Sequence, residues 1–247
     1  MSVEFSIVIP LYNEEPNVAP LHAELSAILA SMPVASEIIC IDDGSRDGTF
    51  EVLRRVQAGD PRVRVIRFVR NFGQTAAFAA GFSYARGQFI VTFDGDLQND
   101  PADIPRLLEI ARTHDVVCGW RRDRKDDFLT RYLPSVIANQ LISVVSGVQV
   151  HDIGCSLKVF RADVVKPLKL TPGMHRYLPA LASQLGGGRV TEVVVNHRPR
   201  RFGQSKYGLS RTFRVIGDLF TLPRLMREAV DPTRHVPQLY EVAEVLE

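Results

Sequence analysis

Asp94 and Asp96 flank Gly95 directly after the apolar run 89–93. In an extended chain residues two apart point to the same side, so these two carboxylates face one way. Like charges that close need a counter-cation. A hard divalent ion such as Mg²⁺ or Mn²⁺, held by one or two carboxylates plus substrate phosphates, meets that need and would neutralise a departing diphosphate. The residues alone leave a surface turn open, because a bare Asp-x-Asp is common.

Three further polar clusters close apolar runs of the same kind: Pro10-Leu11-Tyr12-Asn13-Glu14, Asp42-Asp43-Gly44-Ser45 and Arg70-Asn71-Phe72-Gly73-Gln74. The runs themselves, 5–9, 37–41, 63–68 and 89–93, are β-branched and separated by enough residues for crossover helices. Helical spacing fits 16–30, with Pro16 in the first turn, then 49–56 and the Ala-rich 75–85. The first hundred residues therefore read as βαβαβαβ. Parallel sheets bind ligands beyond the carboxyl ends of their strands, so the four clusters converge. Runs at 115–119 and 190–196 are expected to join the same sheet.

The chain has 247 residues, 45% hydrophobic and 23% charged, an ordinary globular composition. We expect one domain over 1–230 and a flexible charged tail over 231–247, the latter carrying Pro232 and Pro237. A formal net charge of +2 argues against a nucleic-acid partner. No Gly-rich phosphate loop of the P-loop or dinucleotide kind is present, which argues against a kinase or dehydrogenase. Cys40, Cys118 and Cys155 lack zinc-site spacing and read as reduced core residues. No secretory signal pattern opens the chain, so a cytosolic location is expected. No run approaches the roughly 20 apolar residues of a membrane-spanning helix. Segments 129–148 and 209–226 are amphipathic, consistent with core-facing helices or with helices lying on a membrane.

Taken in order, these motifs resemble the family 2 glycosyltransferases of GT-A fold, over roughly residues 4–225. Within that family the likeness is to dolichyl-phosphate mannosyltransferases and bacterial polyprenyl-phosphate glycosyltransferases. The resemblance implies an α/β fold, a mainly parallel sheet flanked by helices, with interfacial amphipathic helices. It implies donor-nucleotide contacts from Pro10, Tyr12, Glu14 and Asp43, with Gln74, Asp94 and Gly95 lining the donor pocket. Tyr12 could stack and Asp43 could accept a base N–H. As residues alone, Tyr12 also suits a packed ring, and Asp42 and Asp43 a helix cap before Thr49. Asp94, Asp96 and Gln98 become the metal and diphosphate set.

His151-Asp152-Ile153-Gly154-Cys155-Ser156 resembles the family's Asp-x-Gly stretch, which places Asp152 near the anomeric carbon as the base candidate. A phosphate acceptor is already anionic, so Asp152 could instead orient groups or balance charge. A turn carboxylate is its plainer reading. Arg200-Arg201-Phe202-Gly203-Gln204-Ser205-Lys206 matches the family's Arg-x-x-Gly-x-Ser-Lys pattern, a basic loop that closes over phosphates through Arg200 and Lys206. Without the upstream motifs it would read as a solvated basic hairpin. Arg121 and Arg131 align with family arginines attributed to the acceptor phosphate.

The implied activity is inverting, metal-dependent transfer of a sugar from a UDP- or GDP-sugar to a polyprenyl or dolichyl phosphate, in cell envelope glycan biosynthesis. The implied setting is the cytoplasmic membrane face. Many bacterial relatives continue from the second amphipathic segment into transmembrane helices, whereas here charged residues follow, so peripheral or monotopic attachment is expected. Transfer to a soluble sugar or polysaccharide is the rival within the fold. A nucleotide-sugar-binding protein without turnover is the rival outside it.

Overall fold

Strand β1 (Phe5–Leu11) is buried along almost its whole length, which only a sheet covered on both faces allows. Alternation divides its side chains: Phe5, Ile7 and Ile9 belong to one core cluster and Val8 to the other. Strand β2 (Ser36–Asp42) divides likewise, Ile38 and Cys40 from Ile39 and Ile41. These are the two faces of one sheet. The computed structural model describes residues 3–122, 142–144, 146–202 and 222–247.

Helices α1 (Glu15–Ala30), α2 (Thr49–Gly59) and α4 (Ile104–Ala111) bury their apolar residues in the first cluster. Helix α3 (Gln74–Tyr84) covers the second. Its small residues let it approach closely: a Cβ on Gly81 would lie 2.1 Å from Cγ1 of Val8. A short α5 (Ala162–Val165) and α6 (Leu178–Ser183) pack on the same face.

Strands β3 (Val63–Phe68), β4 (Phe89–Thr92), β5 (Val116–Trp120), β6 (Lys158–Arg161), β7 (Val190–Val194) and β8 (Val242–Leu246) complete an eight-stranded sheet in the order β7-β5-β6-β4-β1-β2-β3-β8. The first four strands run parallel and β5 runs parallel to β7, as expected. The sheet as a whole is mixed, because β6 is antiparallel to both β4 and β5, and β8 is antiparallel to β3. Insertion of β6 brings the preceding segment to the end of β4, where Thr92 Oγ1 donates to the Ser156 carbonyl at 2.6 Å.

The expectation of a flexible tail is corrected. Val242–Leu246 forms β8, Tyr240 stacks on Phe68 with ring centroids 5.0 Å apart, and Glu247 pairs with Arg64 and Arg86. All three cysteines are free and buried. The described ends of the amphipathic segments face the core: Ile142, Val148, Leu222 and Met226 are buried in the second cluster. Among the described residues no helix is long and apolar enough to cross a membrane.

Candidate functional site

Strand order reverses at β1, with β2 on one side and β4 on the other, so the crevice beyond their carboxyl ends is a switch point suited to a ligand. The β4 cluster enters it with glycine for a steric reason. A Cβ on Gly95 would lie 2.3 Å from Cδ2 of Leu11, which is itself buried, and 3.5 Å from the Pro10 carbonyl. Leu97 then turns the chain at a φ of 63°, an uncommon conformation for a bulky residue. The turn lets the Gln98 amide donate to Asp96 Oδ1 at 3.1 Å.

Around this turn the expected residues meet. Gln74 Nε2 donates to Asp94 Oδ1 at 3.2 Å. Arg200 Nη2 donates to Asp96 Oδ2 at 2.6 Å and to Gln98 Oε1 at 3.2 Å. Burial raises the Asp94 carboxyl above its ordinary range, and the neighbouring Asp96 charge raises it further. Hydrogen bonding from Ser156 and the charges of Arg121 and Lys158 oppose that rise.

Arg121, directly after β5, and Asp152 form a bidentate ion pair. Nε reaches Oδ2 at 2.7 Å, Nη2 reaches Oδ1 at 3.0 Å, and the Arg121 amide adds a third contact at 3.3 Å. Burial disfavours the guanidinium charge, but Asp152 outweighs it and moves Arg121 above its usual value. A bidentate Arg–carboxylate pair of this kind fixes the orientation of both groups. Beside the pair, Trp120 stacks on His151 with centroids 4.4 Å apart.

Asp43 serves the architecture. Its carboxylate accepts from the Phe72 amide at 2.7 Å, the Gly73 amide at 2.9 Å and Asn71 Nδ2 at 2.9 Å, fastening the β2–α2 loop to the β3–α3 loop. Burial pushes its carboxyl up to about 6, against those hydrogen bonds. Gly44, at a φ of 67°, permits the approach, since a Cβ there would lie 2.3 Å from the Arg70 carbonyl carbon. Neither Asp42 nor Asp43 caps α2, whose cap position is Gly48.

Pro10, Tyr12 and Glu14 are half-buried where β1 leaves the sheet. The backbone there is tied to the β2–α2 loop: Asn13 N donates to Ser45 Oγ at 2.9 Å and Glu14 N to Thr49 Oγ1 at 2.8 Å. Glu14 also accepts from Asn17 Nδ2. Tyr12 is thus not a fully packed core ring. Arg131, Gly203 and Lys206 lie outside the described residues.

Three further residues at the site were not singled out in the sequence, although Ser156 closes the Asp-x-Gly stretch. Arg198 bonds Glu24 at 2.9 Å and Asp100 at 3.0 Å, holding the strap that carries Arg200. Ser156 approaches Asp94 from the segment before β6. His175 Nδ1 is 2.7 Å from Thr75 Oγ1, beside Gln74. Each meets its partner across dozens of residues, and no spacing rule reaches that far.

A divalent cation fits the donor set. Asp94 and Asp96 repel each other, Gln98 adds a neutral oxygen, and a guanidinium already bridges Asp96 and Gln98. No cluster of three or more His, Cys, Asp or Glu suited to a metal occurs among the described residues. The set therefore suits an ion that takes its remaining ligands from phosphate and water, as Mg²⁺ does.

Residues 6–168 match the model of the family described as Glycosyl transferase family 2. The chain is 46% identical over 235 residues to a dodecaprenyl-phosphate galacturonate synthase from Rhizobium johnstonii, covering 94% of this chain and 70% of that protein. It is 38% identical over 218 residues to an undecaprenyl-phosphate 4-deoxy-4-formamido-L-arabinose transferase from Edwardsiella ictaluri, covering 87% of this chain and 66% of that one. It thus spans about two thirds of the length of such relatives. Its fold matches glucosyl-3-phosphoglycerate synthase from Mycobacterium tuberculosis, crystallised with Mn²⁺, UDP and product, at a TM-score of 0.68 and 18% identity over 91% of this chain and 80% of that one. Mannosyl-3-phosphoglycerate synthase from Rubrobacter xylanophilus gives 0.71 at 18% identity, over 95% and 78%. Fold and site together define a GT-A glycosyltransferase. The chain belongs to glycosyl transferase family 2, and the relatives named above are sugar transferases of the polyprenyl-phosphate type.

Proposed function

We propose that this chain transfers a sugar from a nucleoside diphosphate donor to a polyprenyl phosphate with inversion at the anomeric carbon, the product serving cell envelope glycan biosynthesis. One observation carries the reading: Gln74, Asp94, Asp96, Gln98 and Arg200 converge at the switch-point crevice, with Arg121 near enough to Asp94 to influence its charge. The activities printed for the curated relatives supply the substrate class.

Pro10, Tyr12 and Glu14 line the nucleotide side of the crevice. Asp43 contributes by fixing the loop that leads into Gln74. Asp94, Asp96 and Gln98 would hold a divalent ion, Mg²⁺ or Mn²⁺, which supplies charge neutralisation for the departing diphosphate. Arg121, stiffened by Asp152, presents a fixed positive charge to the acceptor phosphate. The attacking phosphate oxygen already carries negative charge, so Asp152 need not take a proton. Arg200, with Lys206, offers cationic charge to the leaving diphosphate. The acceptor's tail keeps the reaction at a membrane surface, at its cytoplasmic face, with peripheral or monotopic attachment.

The test is a screen of radiolabelled UDP- and GDP-sugars against a polyprenyl phosphate in detergent and against soluble sugars. Label entering the organic phase only with the lipid phosphate supports the reading. Transfer to a soluble sugar without detergent would replace it, and donor binding without any transfer would leave a nucleotide-sugar-binding protein.

A further inference from the structure

We propose that the Arg200 guanidinium is a built-in counter-cation for Asp96 and Gln98, and that a divalent ion binds by displacing it. The inference rests on the metal reading above. Arg200 Nη2 lies 2.6 Å from Asp96 Oδ2 and 3.2 Å from Gln98 Oε1, so it occupies two of the three groups assigned to the ion. A guanidinium answers the same electrostatic need as the ion, because Asp94 and Asp96 are crowded carboxylates whose charges oppose one another.

The strap carrying Arg200 is anchored without it. The Asn196 amide donates to Asp103 Oδ2 at 2.8 Å, and Asn196 Nδ2 donates to Asp100 Oδ2 at 2.9 Å. Arg198 pairs with Glu24 and Asp100, and its amide donates to the Gln98 carbonyl at 2.8 Å. Arg201 approaches Glu24 at 3.5 Å. These contacts fix the backbone leading into residue 200, and the Arg201 side chain reaches Glu24 beyond it. The Arg200 side chain, 26% exposed, can leave Asp96 by rotation about its own bonds while the strap stays in place.

Displacement couples the cation to the nucleotide. A lone divalent ion must expel Arg200 and leave it without an anion. A nucleoside diphosphate supplies ligands to the ion and, at the same time, oxygens for the released guanidinium. Each therefore favours the other, and the coupling is reciprocal. An arginine that fills the position about nine-tenths of the time lowers the apparent affinity for the ion roughly tenfold.

The test is titration of the full chain with Mn²⁺, free Mn²⁺ being read by electron paramagnetic resonance, with and without UDP or GDP. Without nucleotide, Arg200→Gln is expected to bind Mn²⁺ roughly tenfold more tightly than the unaltered chain. The unaltered chain is expected to gain more Mn²⁺ affinity from nucleotide than the variant does. Equal affinities without nucleotide would overturn the displacement and leave the metal reading standing. Absence of Mn²⁺ binding to either protein under all conditions would overturn both. If Arg200→Gln does not melt cooperatively, Arg200→Lys decides. In the unaltered chain the one Nη2 nitrogen makes both contacts, and the shorter lysine side chain ends a bond short of it, so tighter Mn²⁺ binding than in the unaltered chain is expected, and unchanged binding would sink the displacement.

Discussion

Arg121 grips Asp152 through both carboxylate oxygens, Nε to Oδ2 at 2.7 Å and Nη2 to Oδ1 at 3.0 Å, with both side chains largely withdrawn from solvent. On the proposed reading this carboxylate aims a cation and takes no proton. Asp152→Asn should therefore raise the KM for the polyprenyl phosphate more than it lowers kcat, and the acidic limb of the pH–rate profile should stay where it is. Loss of kcat together with loss of that limb would restore Asp152 as the base. Asp152→Ala is the poorer probe, because it strands a buried guanidinium at a cost of about 3–5 kcal/mol.

Asp43 makes a prediction about stability. An Asp in the unfolded chain titrates near about 3.9, whereas burial raises Asp43 to about 6 in the folded protein. Between those values the native state holds the extra proton. The Asp43 contribution is then fully present below about pH 4 and is lost as pH rises through about 6. Asp43→Asn should flatten this part of the Tm–pH curve. It should also lower Tm throughout, because an amide N–H replaces an acceptor facing the Phe72 and Gly73 amides. Asp43→Ala should cost about 1–3 kcal/mol for each buried N–H left unpaired. A calorimetric melt with unchanged Tm would return Asp43 to a role in donor binding alone.

Gly44 and Gly73 separate strain from collision. Both have positive φ, 67° and 90°, but a Cβ on Gly44 would strike the backbone of Arg70 and Asn71 within 2.7 Å, whereas none of its kind lies within 4 Å at Gly73. Gly73→Ala should cost backbone strain alone, about 1–3 kcal/mol, because a φ of 90° with a ψ of 165° is a conformation that glycine almost alone adopts. Gly44→Ala should cost clearly more and weaken donor binding, since the two loops it would force apart lead to Gln74. Equal costs in urea melts would show that the loops part freely.

Asp96 tests the cation directly. Activity should vanish in chelator and return with Mg²⁺ or Mn²⁺. Asp96→Asn should nearly abolish turnover while the fold melts normally, because a carboxamide is a poor ligand for a hard ion and carries no charge. Full activity in chelator would remove the metal from the site.

How much of this was readable from sequence depends on range. The four strand-end clusters were legible because each follows a β-branched run, and a parallel sheet places such ends together. Strand β6 was not legible: it is four residues with Lys158 and Arg161 at its ends, and Lys158 is buried with its ammonium donating to the Cys155 carbonyl. Strand β8 was hidden by charge, since Glu244 and Glu247 read as a solvated tail until Arg54, Arg64 and Arg86 are brought opposite them. The pairings that define the site, Arg121 with Asp152 and Arg200 with Asp96, join residues 31 and 104 positions apart. Resemblance could name those residues, but only the folded sheet shows which carboxylate each arginine takes.

The membrane expectation is narrowed by burial. Ile142 and Val148 from the first amphipathic segment and Leu222 and Met226 from the second are packed in the core, so these positions cannot face lipid. Val144, by contrast, is 83% exposed, and Phe202, just before the Gly203 to Lys206 motif, is 45% exposed. Large apolar side chains left in water next to amphipathic sequence suit an interfacial surface. In flotation with anionic liposomes, Val144→Asp should therefore reduce the bound fraction while leaving Tm unchanged. Leu222→Asp should instead unfold the protein, because it places a charge in the core. Binding of the unaltered chain should weaken as salt rises, each basic residue near anionic lipid contributing about 1 kcal/mol that screening removes. If Val144→Asp floats like the unaltered chain, Val144 is not part of the lipid-facing surface. If the unaltered chain stays in the soluble fraction even at low salt, the membrane reading fails and transfer to a soluble acceptor takes its place.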